Sequence, residues 1–226
     1  MDLNRELLWI CNLLEEGGVK FWVDSGTLLG LTREGGVMQD DHDIDLSMWS
    51  ENESLLDKLL PAVEQRGYRV SVKSYRGLNF KYKFTPQFKG SSLDVDISLF
   101  RLKDNHAWCP QVYCKPFPSS KGSPFYYLRA LPRKLVQVLF VRRKKVAVEG
   151  LFWALSYKIY LVWVPKQYFE ETVRIAGNIP APRQYEDYLS YRYGDWQVPQ
   201  KDWFFIFDDG AIRRQSPESL IGQIKA

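Results

Sequence analysis

The sequence is poor in the residues that define several common classes of protein. It has only three cysteines and two histidines in 226 residues. Three cysteines are too few, and too odd in number, for the disulfide framework of a small secreted domain. His106 lies close to Cys109 and Cys114, but these three side chains leave a tetrahedral zinc site one ligand short. Neither a disulfide scaffold nor a structural zinc site is therefore predicted.

Long hydrophobic runs are also missing. The longest apolar stretch, 151–164, is about 14 residues long and contains Lys158, whereas a membrane-spanning helix needs about 20. Residues 1–6 carry charges where a signal peptide has its apolar core. We therefore expect a cytoplasmic protein. A Golgi-lumen domain cut from a larger protein would look the same and stays the alternative.

The positive charge is too modest to indicate a protein that binds nucleic acid. The formal net charge is +4 and no recognised binding motif is present, so no nucleic acid partner is predicted. A basic cluster at 142–145 lies close to the apolar stretch. The segment 133–164 fits a second helical layer over the core, and its alternative is a peripheral contact with a membrane surface.

The hydrophobic content, 45% of residues, is high enough for a buried core, and its patterning predicts an α/β fold. From 103 to 132 the composition changes to Pro, Ser, Gly, Lys and aromatic residues, as in a long loop or insertion. We expect a catalytic core at 1–102, and at 103–226 a loop insertion with a mainly helical C-terminal region packing on it. The patterns predict helices at about 2–16, 28–33 and 53–66, and strands at about 19–23, 43–48, 68–73, 77–84 and 93–99.

Acidic residues are concentrated in one short run. Carboxylates so close together repel by roughly 4 kcal/mol per pair at about 4 Å and an effective dielectric of about 20, so they either turn into water or share a cation. A strand at 43–48 would turn its aspartates to one face and its apolar residues to the other, which favours the cation. The four aspartates of the run are Asp40, Asp41, Asp43 and Asp45.

A second segment, 93–99, repeats this alternation with Asp94 and Asp96. If the two strands pair, their aspartates form one acidic wall. Mg²⁺ prefers carboxylate oxygens and substrate phosphates, and paired aspartates can bridge one or two ions. Mg²⁺ or Mn²⁺ is therefore the expected cofactor.

Two other stretches are candidates for phosphate binding. In the first, a strand is followed by a turn of small residues at 24–27 and then by a helix. Glycine lets a phosphate approach the backbone closely, and the free amides at the start of the helix can bind it. The alternative is that the turn only caps the helix. In the strand 77–84, two lysines share the face opposite the aromatic residues, which suits phosphate contact or a solvated sheet edge. The candidate substrate-binding residues are Asp24, Ser25, Gly26, Thr27, Lys81 and Lys83.

Other chemistries of acidic clusters fit less well. A calcium-binding EF-hand loop starting at Asp41 requires glycine and glutamate where the chain has Leu46 and Asn52. A glycosidase pair faces a sugar across a cleft, which aspartates on adjacent strands do not specify. A Ser/His/Asp triad would depend on His42 or His106, and neither lies near a nucleophile-elbow sequence. Metal-supported phosphoryl transfer fits best.

The stretch FWVDSGTLLGLTR at 21–33, followed by DHDID at 41–45, resembles the signature of the LicD/fukutin-related family. This family belongs to the nucleotidyltransferase-like superfamily, whose pattern is a Gly-Ser/Thr turn, an Asp-x-Asp pair and a later single Asp on a neighbouring strand. The triplet VDI at 95–97 matches the third element and favours Asp96 over Asp94. Motifs at 180–182, 185–189 and 193–196 resemble the family's closing motif.

The resemblance implies a nucleotidyltransferase-like fold and the transfer of a phospho-alcohol from a CDP-linked donor to a hydroxyl of a glycan. CMP would be released, and the acceptor would be a cell-surface glycan or its lipid-linked precursor. Transferred groups of this type include phosphocholine, ribitol phosphate and glycerol phosphate. Two alternatives stay open: a metal-dependent glycosyltransferase that uses a nucleotide sugar, and a catalytically inactive scaffold for glycan assembly.

The resemblance also implies roles for individual residues. Asp43, Asp45 and Asp96 would hold the metal, and Asp96 would also accept the proton of the attacking hydroxyl. The turn at 24–27 would present amides and a hydroxyl to phosphate. Arg33 would neutralise charge on the transferred group, with an exposed charge at a helix end as the alternative. Core packing, with base or sugar stacking as the minor alternative, is expected of Tyr185, Tyr188, Tyr193 and Trp196.

Overall fold

The fold is built on a mixed β-sheet of eight strands with helices packed against it, as the sequence predicted, and it also contains a two-stranded sheet. The computed structural model describes residues 3–38, 41, 43–87, 93–114, 157–200, 203, 205–213 and 220. The strands are β1 (Phe21–Val23), β2 (Asp43–Trp49), β3 (Tyr68–Tyr75), β4 (Leu78–Pro86), β5 (Asp94–Lys103), β6 (His106–Cys114), β7 (Tyr157–Pro165), β8 (Thr172–Ile175), β9 (Ile179–Pro182) and β10 (Ile212–Arg213). The helices are α1 (Leu3–Glu16), α2 (Ser25–Glu34), α3 (Glu53–Gln65), α4 (Tyr185–Tyr193) and α5 (Phe205–Asp208), with 3-10 turns at Ser50–Asn52 and Lys166–Phe169.

The order of strands places the two acidic segments side by side. The main sheet runs β1-β2-β5-β6-β7-β10, with β4 paired to β5 and β3 paired to β4. Strands β2 and β5 are parallel, and β4 is antiparallel to β5. Because the residues of β2 and β5 alternate, Ile44, Leu46 and Ile97 are buried on the opposite face from the aspartates, at 1% exposure or less. The apolar face therefore anchors the strands that carry the site.

The chain forms two compact units. One comprises Met1–Cys109 and Val162–Ile212, and the other comprises Pro110–Leu161 and Arg213–Ala226. Every residue of the candidate site described below belongs to the first unit. The predicted domain division at residue 102 stays a prediction.

The region expected to be a loop followed by helices contains strands as well. The start of the expected loop contains the strand β6. The end of the expected helical layer, from residue 157 onward, forms the strand β7. In β7, Tyr160, Leu161 and Val164 are buried, and the β-branched and aromatic residues of this segment suit a strand buried on both faces. A membrane contact was predicted for 133–164. Residues 133–156 lie outside the described residues, and the rest of this segment belongs to β7.

The longest helix among the described residues, α1, has 14 residues. No helix among them is long and apolar enough to cross a membrane. The apolar stretch that raised the question continues into a sheet strand at its described end.

Candidate active site

Three predicted metal ligands converge at the first residues of two parallel strands. Asp43 and Asp45 lie on β2, and Asp96 lies on β5 directly opposite Asp45. One carboxylate oxygen from each of the three lies within 4.8 Å of the other two. The parallel register produces this cluster, because residues at matching positions of parallel strands stand on the same face of the sheet.

Asp94 faces the same side of the sheet but has a different partner. It is paired in register with Asp43, and its Oδ2 lies 2.5 Å from Lys83 Nζ. It is outside the group of described residues that could share one ion. The structure thus separates Asp94 from Asp96, in agreement with the preference that the sequence motif expressed.

Both candidate lysines point at the carboxylates from the neighbouring strand β4. The antiparallel register sets Lys83 opposite Asp96 and Lys81 opposite Ser98. Lys81 Nζ lies 2.8 Å from Asp96 Oδ2, and Lys83 Nζ lies 3.4 Å from Asp96 Oδ1. The lysines therefore form part of the charge balance of the cluster, and their contact with a substrate phosphate stays a prediction.

The carboxylates of the cluster differ in basicity. Burial raises the pKa of Asp45 to about 7; Lys81 opposes this shift, and the negative charges of Asp43, Asp24 and Asp96 reinforce it. Burial would also raise the pKa of Asp96, but the ammonium groups of Lys81 and Lys83 outweigh it and lower that pKa below its usual value. Of these two carboxylates, Asp45 is therefore the harder to ionise without a cation.

The N-terminus of α2 is fastened directly to the cluster. The Gly26 amide donates to Asp45 Oδ2 at 3.3 Å, and the Thr27 hydroxyl accepts from the Asp45 amide at 2.8 Å. A Cβ atom on Gly26 would lie 2.8 Å from Asp41 Oδ2 and 3.6 Å from Asp45 Oδ2. A side chain at this position would displace the Asp41 carboxylate, so glycine gives the carboxylates room beside the helix backbone. Thr27 is fully buried, so its hydroxyl positions Asp45.

Asp24 caps α2 and is held from four sides. Its carboxylate accepts from the Ser25 amide, the Ser47 hydroxyl, the Tyr188 hydroxyl and Arg192 Nη1 at 2.6 to 3.0 Å. At 3% exposure it is buried. Capping, the alternative from the sequence, is confirmed. This geometry makes Asp24 a residue that positions the turn, while direct contact with substrate stays a prediction.

Ser25 adopts an unusual backbone conformation at the start of α2. Its φ is 48°, in the left-handed region that residues other than glycine seldom adopt. Its hydroxyl accepts from Arg192 Nη1 at 2.8 Å, and its amide donates to the Asp24 carboxylate. Such strained conformations persist where surrounding contacts over-determine them, and here Asp24 and Arg192 supply those contacts.

Arg192 contacts the candidate site and was not among the residues predicted from the sequence. It is 7% exposed and lies on α4, where its Nη1 contacts Asp24, Ser25 and Tyr188. Its Nε and Nη2 donate to Asp209 Oδ2 at 3.1 and 2.5 Å, so the guanidinium joins two buried carboxylates. In the sequence, Arg192 could have been found from its spacing of four residues from Tyr188, which puts both side chains on one face of the helix.

Among the described residues, Arg33 makes its contacts away from the carboxylate cluster. It lies near the C-terminal end of the ten-residue helix α2, about 12 Å along the axis from Ser25 at about 1.5 Å per residue. Its guanidinium pairs with Glu34 at 2.7 Å and lies 3.1 Å from Met38 Sδ. These contacts match the alternative of a charge at a helix end, and its catalytic role stays a prediction.

Two aromatic residues of the closing motif are buried, and the other two are half-buried. Tyr188 is fully buried and Trp196 is 8% exposed, which agrees with packing. Tyr193 lies against Trp203 with ring centroids 4.8 Å apart, and Tyr185 is half-buried. Tyr188 also reaches the Asp24 carboxylate, so its ring packs while its hydroxyl holds the cap.

The donor set fits a divalent cation. Three carboxylates converge within reach of one ion, and hard oxygen ligands are those that Mg²⁺ and Mn²⁺ take. Asp96 is 6% exposed, yet its Oδ1 makes no hydrogen bond with a described residue. Lys83 Nζ lies 3.4 Å from this oxygen without forming a hydrogen bond, and a cation in the cluster would satisfy the oxygen.

Comparison with known proteins identifies the domain. Residues 18–128 match the family model described as LicD/FKTN/FKRP, nucleotidyltransferase domain. This segment of the chain is thus a nucleotidyltransferase domain of the LicD/FKTN/FKRP family, and the resemblance recognised in the sequence is confirmed there. The segment contains α2 and all three carboxylates of the cluster.

The curated relatives align over part of the chain. An uncharacterized protein of Rickettsia prowazekii is 44% identical over 61 residues, covering 27% of this chain and 23% of that protein. The ribitol 5-phosphate transferase FKRP of Homo sapiens is 30% identical over 100 residues, covering 42% of this chain and 19% of that protein. The chain therefore spans less than a quarter of the length of either relative.

Among solved structures, the lincomycin-bound crystal structure of the lincosamide antibiotic adenylyltransferase LnuA shows a general likeness. The TM-score is 0.44 at 14% sequence identity, over 87% of this chain and 92% of that chain.

Proposed function

We propose that the protein is a metal-dependent phosphotransferase that moves a phospho-alcohol from a CDP-linked donor to a hydroxyl of a glycan and releases CMP. The observation that carries the proposal is the cluster of Asp43, Asp45 and Asp96 beside the N-terminus of α2, within a LicD/FKTN/FKRP nucleotidyltransferase domain. The similarity to a ribitol 5-phosphate transferase makes ribitol phosphate the first transferred group to test.

The residues of the cluster would hold Mg²⁺ or Mn²⁺, which supplies charge neutralisation and orientation at the donor phosphates. Asp43 and Asp45 would ligate the ion from β2, while the Gly26 amide and the Thr27 hydroxyl fix the position of Asp45. Lys83, half-buried on β4, adds a positive charge on the same face. The N-terminus of α2 favours a negatively charged group nearby.

Asp96 is both a ligand of the metal and the proposed acceptor of the proton of the attacking hydroxyl. A general base works best when its pKa lies near the working pH. The pKa of Asp96 is lowered, with Lys81 at 2.8 Å, so Asp96 is a weak base in the metal-free protein and ligation is its main proposed role. The acceptor oxygen then forms the new bond to phosphorus as the bond to the CMP oxygen breaks, and its proton leaves to Asp96, to solvent or to a phosphate oxygen.

A donor screen by CMP release tests the proposal. CDP-ribitol, CDP-choline, CDP-glycerol and CDP-ethanolamine are offered beside UDP- and GDP-sugars, with Mg²⁺ and with EDTA. Slow hydrolysis of one CDP compound, lost in EDTA and in Asp43→Asn, is the expected result. Turnover of a nucleotide sugar alone would instead establish a glycosyltransferase. If no donor is turned over and none shifts the melting temperature with metal present, the result contradicts the proposed activity and favours the inactive scaffold.

Metal binding is expected to release a proton below about pH 7. Without metal, Asp45 is largely protonated at about pH 6, because its pKa is raised to about 7. A divalent ion binds the ionised carboxylate, so affinity rises as the pH rises toward that pKa and levels off above it. Titration calorimetry with Mn²⁺ in two buffers of different ionisation enthalpy should show about one proton released per ion at about pH 6 and little at about pH 8. Equal release at both values would contradict the assignment of Asp45 as a ligand.

A further inference from the structure

Two cavities of the first compact unit share Trp49, the last residue of β2. The larger, of about 540 Å³, lies between β1 and the paired strands β8 and β9. The smaller, of about 420 Å³, lies beside the ends of β2 and β5. Both volumes fall in the range of sites that bind small molecules. Phe169 and Glu170 also line both cavities, so these two residues and Trp49 form a wall common to both.

Trp49 is held in this wall by aromatic side chains that are themselves buried. Trp22, Phe100 and Phe169 are each 3% exposed or less. The ring of Trp22 lies 5.4 Å from that of Trp49 at an interplanar angle of 60°, and the ring of Phe169 lies 6.2 Å away at 76°. No described ring stacks in parallel on Trp49, whose side chain is half-buried. Part of the indole therefore remains open to the cavities, above a floor of buried rings.

The charged side chains that line the cavities balance one another. Each cavity has two carboxylates and two cationic groups. In the smaller cavity Glu170 pairs with Lys166 at 3.1 Å, and in the larger one Glu15 pairs with Arg174. A phosphate or a metal ion would therefore gain no net attraction from the lining. The charged residues are Glu15, Lys20, Glu170 and Arg174 in the larger cavity, and Glu51, Arg101, Lys166 and Glu170 in the smaller.

A sugar has the two kinds of surface that such a lining accommodates. The C–H groups on one face of its ring pack against an aromatic ring, and each of its hydroxyls donates and accepts hydrogen bonds. The carboxylates and cations around Trp49 supply both acceptors and donors for these hydroxyls. Because the lining has no net charge, it suits an uncharged sugar better than an anionic nucleotide or a quaternary ammonium group.

The cavities lie along the same strand as the carboxylate cluster but are separate from it. Trp49 is on the face of β2 that carries Asp43 and Asp45, four residues beyond Asp45, which is about 13 Å at about 3.3 Å per residue. Ser47 lies between Asp45 and Trp49, is 1% exposed, and donates a hydrogen bond to Asp24. A substrate that contacts both places therefore has to be long and to pass over the surface. A glycan, as a chain of sugars, meets this condition.

We propose that the two cavities bind an uncharged sugar of the acceptor glycan, stacked on Trp49 and hydrogen-bonded to the charged residues around it. The inference rests on the proposed function only in taking this sugar to belong to the acceptor. Glu170 borders both cavities, so its carboxylate can accept from hydroxyls on either side of Trp49. The site holds the acceptor at a distance from the proposed metal ligands and takes no part in the phosphoryl transfer itself.

Saturation-transfer NMR tests the site by binding alone, without a donor, first with Mg²⁺ and then with EDTA. The probes are three uncharged trisaccharides, maltotriose, xylotriose and triacetylchitotriose. At least one should bind the wild type under both conditions, and Trp49→Ala should weaken that affinity at least about tenfold, because the stacking surface is removed. Trp9→Phe is the matched control. Trp9 is another half-buried tryptophan, stacked on Tyr68 and outside the lining of both cavities, so this variant should bind as the wild type does.

The inference is overturned if no trisaccharide binds, or if Trp49→Ala binds as tightly as the wild type. It is also overturned if choline or a heparin-derived oligosaccharide, added as charged probes, depends on Trp49 for binding and the trisaccharides do not. Because no donor is present, sugar binding stands even if the donor screen is negative. Absence of sugar binding, in turn, leaves a positive donor screen standing.

Circular dichroism checks that the variants are folded. If Trp49→Ala does not fold, Trp49→Phe takes its place. Its smaller ring keeps the wall filled but offers less surface to a sugar, so affinity should fall at least about threefold. An unchanged affinity in Trp49→Phe would then overturn the inference.

Discussion

Replacing Asp43 with asparagine is expected to abolish turnover of the donor while the protein stays folded. Asparagine has nearly the same shape but lacks the charge that would hold a divalent ion next to Asp45 and Asp96. We expect kcat/KM to fall at least about a thousandfold, which corresponds to about 4 kcal/mol of lost transition-state stabilisation. The melting temperature of the metal-free protein should be equal to that of the wild type or higher, because a repulsive charge is removed.

Asp94→Asn is the matched control for this experiment. Asp94 stands opposite Asp43 in the parallel register and on the same face, yet its carboxylate pairs with Lys83 outside the metal group. This variant should keep most of its activity and its affinity for Mn²⁺. Wild-type turnover in Asp43→Asn, or an equal loss in both variants, would show that the cluster does not act as the metal site.

Replacing Arg192 with methionine should cost far more stability than replacing any exposed arginine. Arg192 joins the buried carboxylates of Asp24 and Asp209, and its loss leaves both without their cation. Breaking a buried ion pair by removal of one partner typically costs about 3 to 5 kcal/mol. The expected result is a large fall in the urea midpoint with the m-value unchanged, or failure to fold at ambient temperature.

The control arginine is Arg183, which pairs with Glu171 at the surface. Both side chains are more than half exposed, so Arg183→Met should change stability by no more than about 0.5 kcal/mol. Arg192→Lys retains the charge but replaces the planar guanidinium by a single ammonium group, which cannot contact Asp24 and Asp209 through separate nitrogens. We therefore expect a loss of stability between those of Arg183→Met and Arg192→Met. A cost below about 1 kcal/mol for Arg192→Met would mean that the two carboxylates are hydrated once the arginine is removed.

A series of contacts joins Arg192 to the carboxylate cluster. Its Nη1 holds the Asp24 cap and the Ser25 hydroxyl, and the next residues, Gly26 and Thr27, hold Asp45. The chain of contacts therefore runs from α4 through the N-terminus of α2 to the carboxylate cluster. In Arg192→Lys, a weaker affinity for Mn²⁺ beyond the stability loss is expected if this chain positions the cluster.

Much of the site was predictable because its elements have short-range causes. Alternation along β2 and β5 was enough to place Asp43, Asp45 and Asp96 on polar faces, since successive side chains of a strand point to opposite sides. The cap at Asp24 and the helix that follows were predictable from residue type and from the order of strand, turn and helix. The strand β7 was not, because a short aromatic and apolar run fits a buried helix as well as a buried strand.

The sequence by itself determined which residues carry the charge, the faces on which they lie and the family to which the domain belongs. The tertiary structure alone decided that β2 and β5 are parallel and in register, that Lys81 pairs with Asp96, and that Arg192 binds Asp24 across 168 positions of the chain. The physical reason is that strand pairing and buried ion pairs depend on the packing of segments far apart in sequence, whereas capping and alternation depend on neighbouring residues.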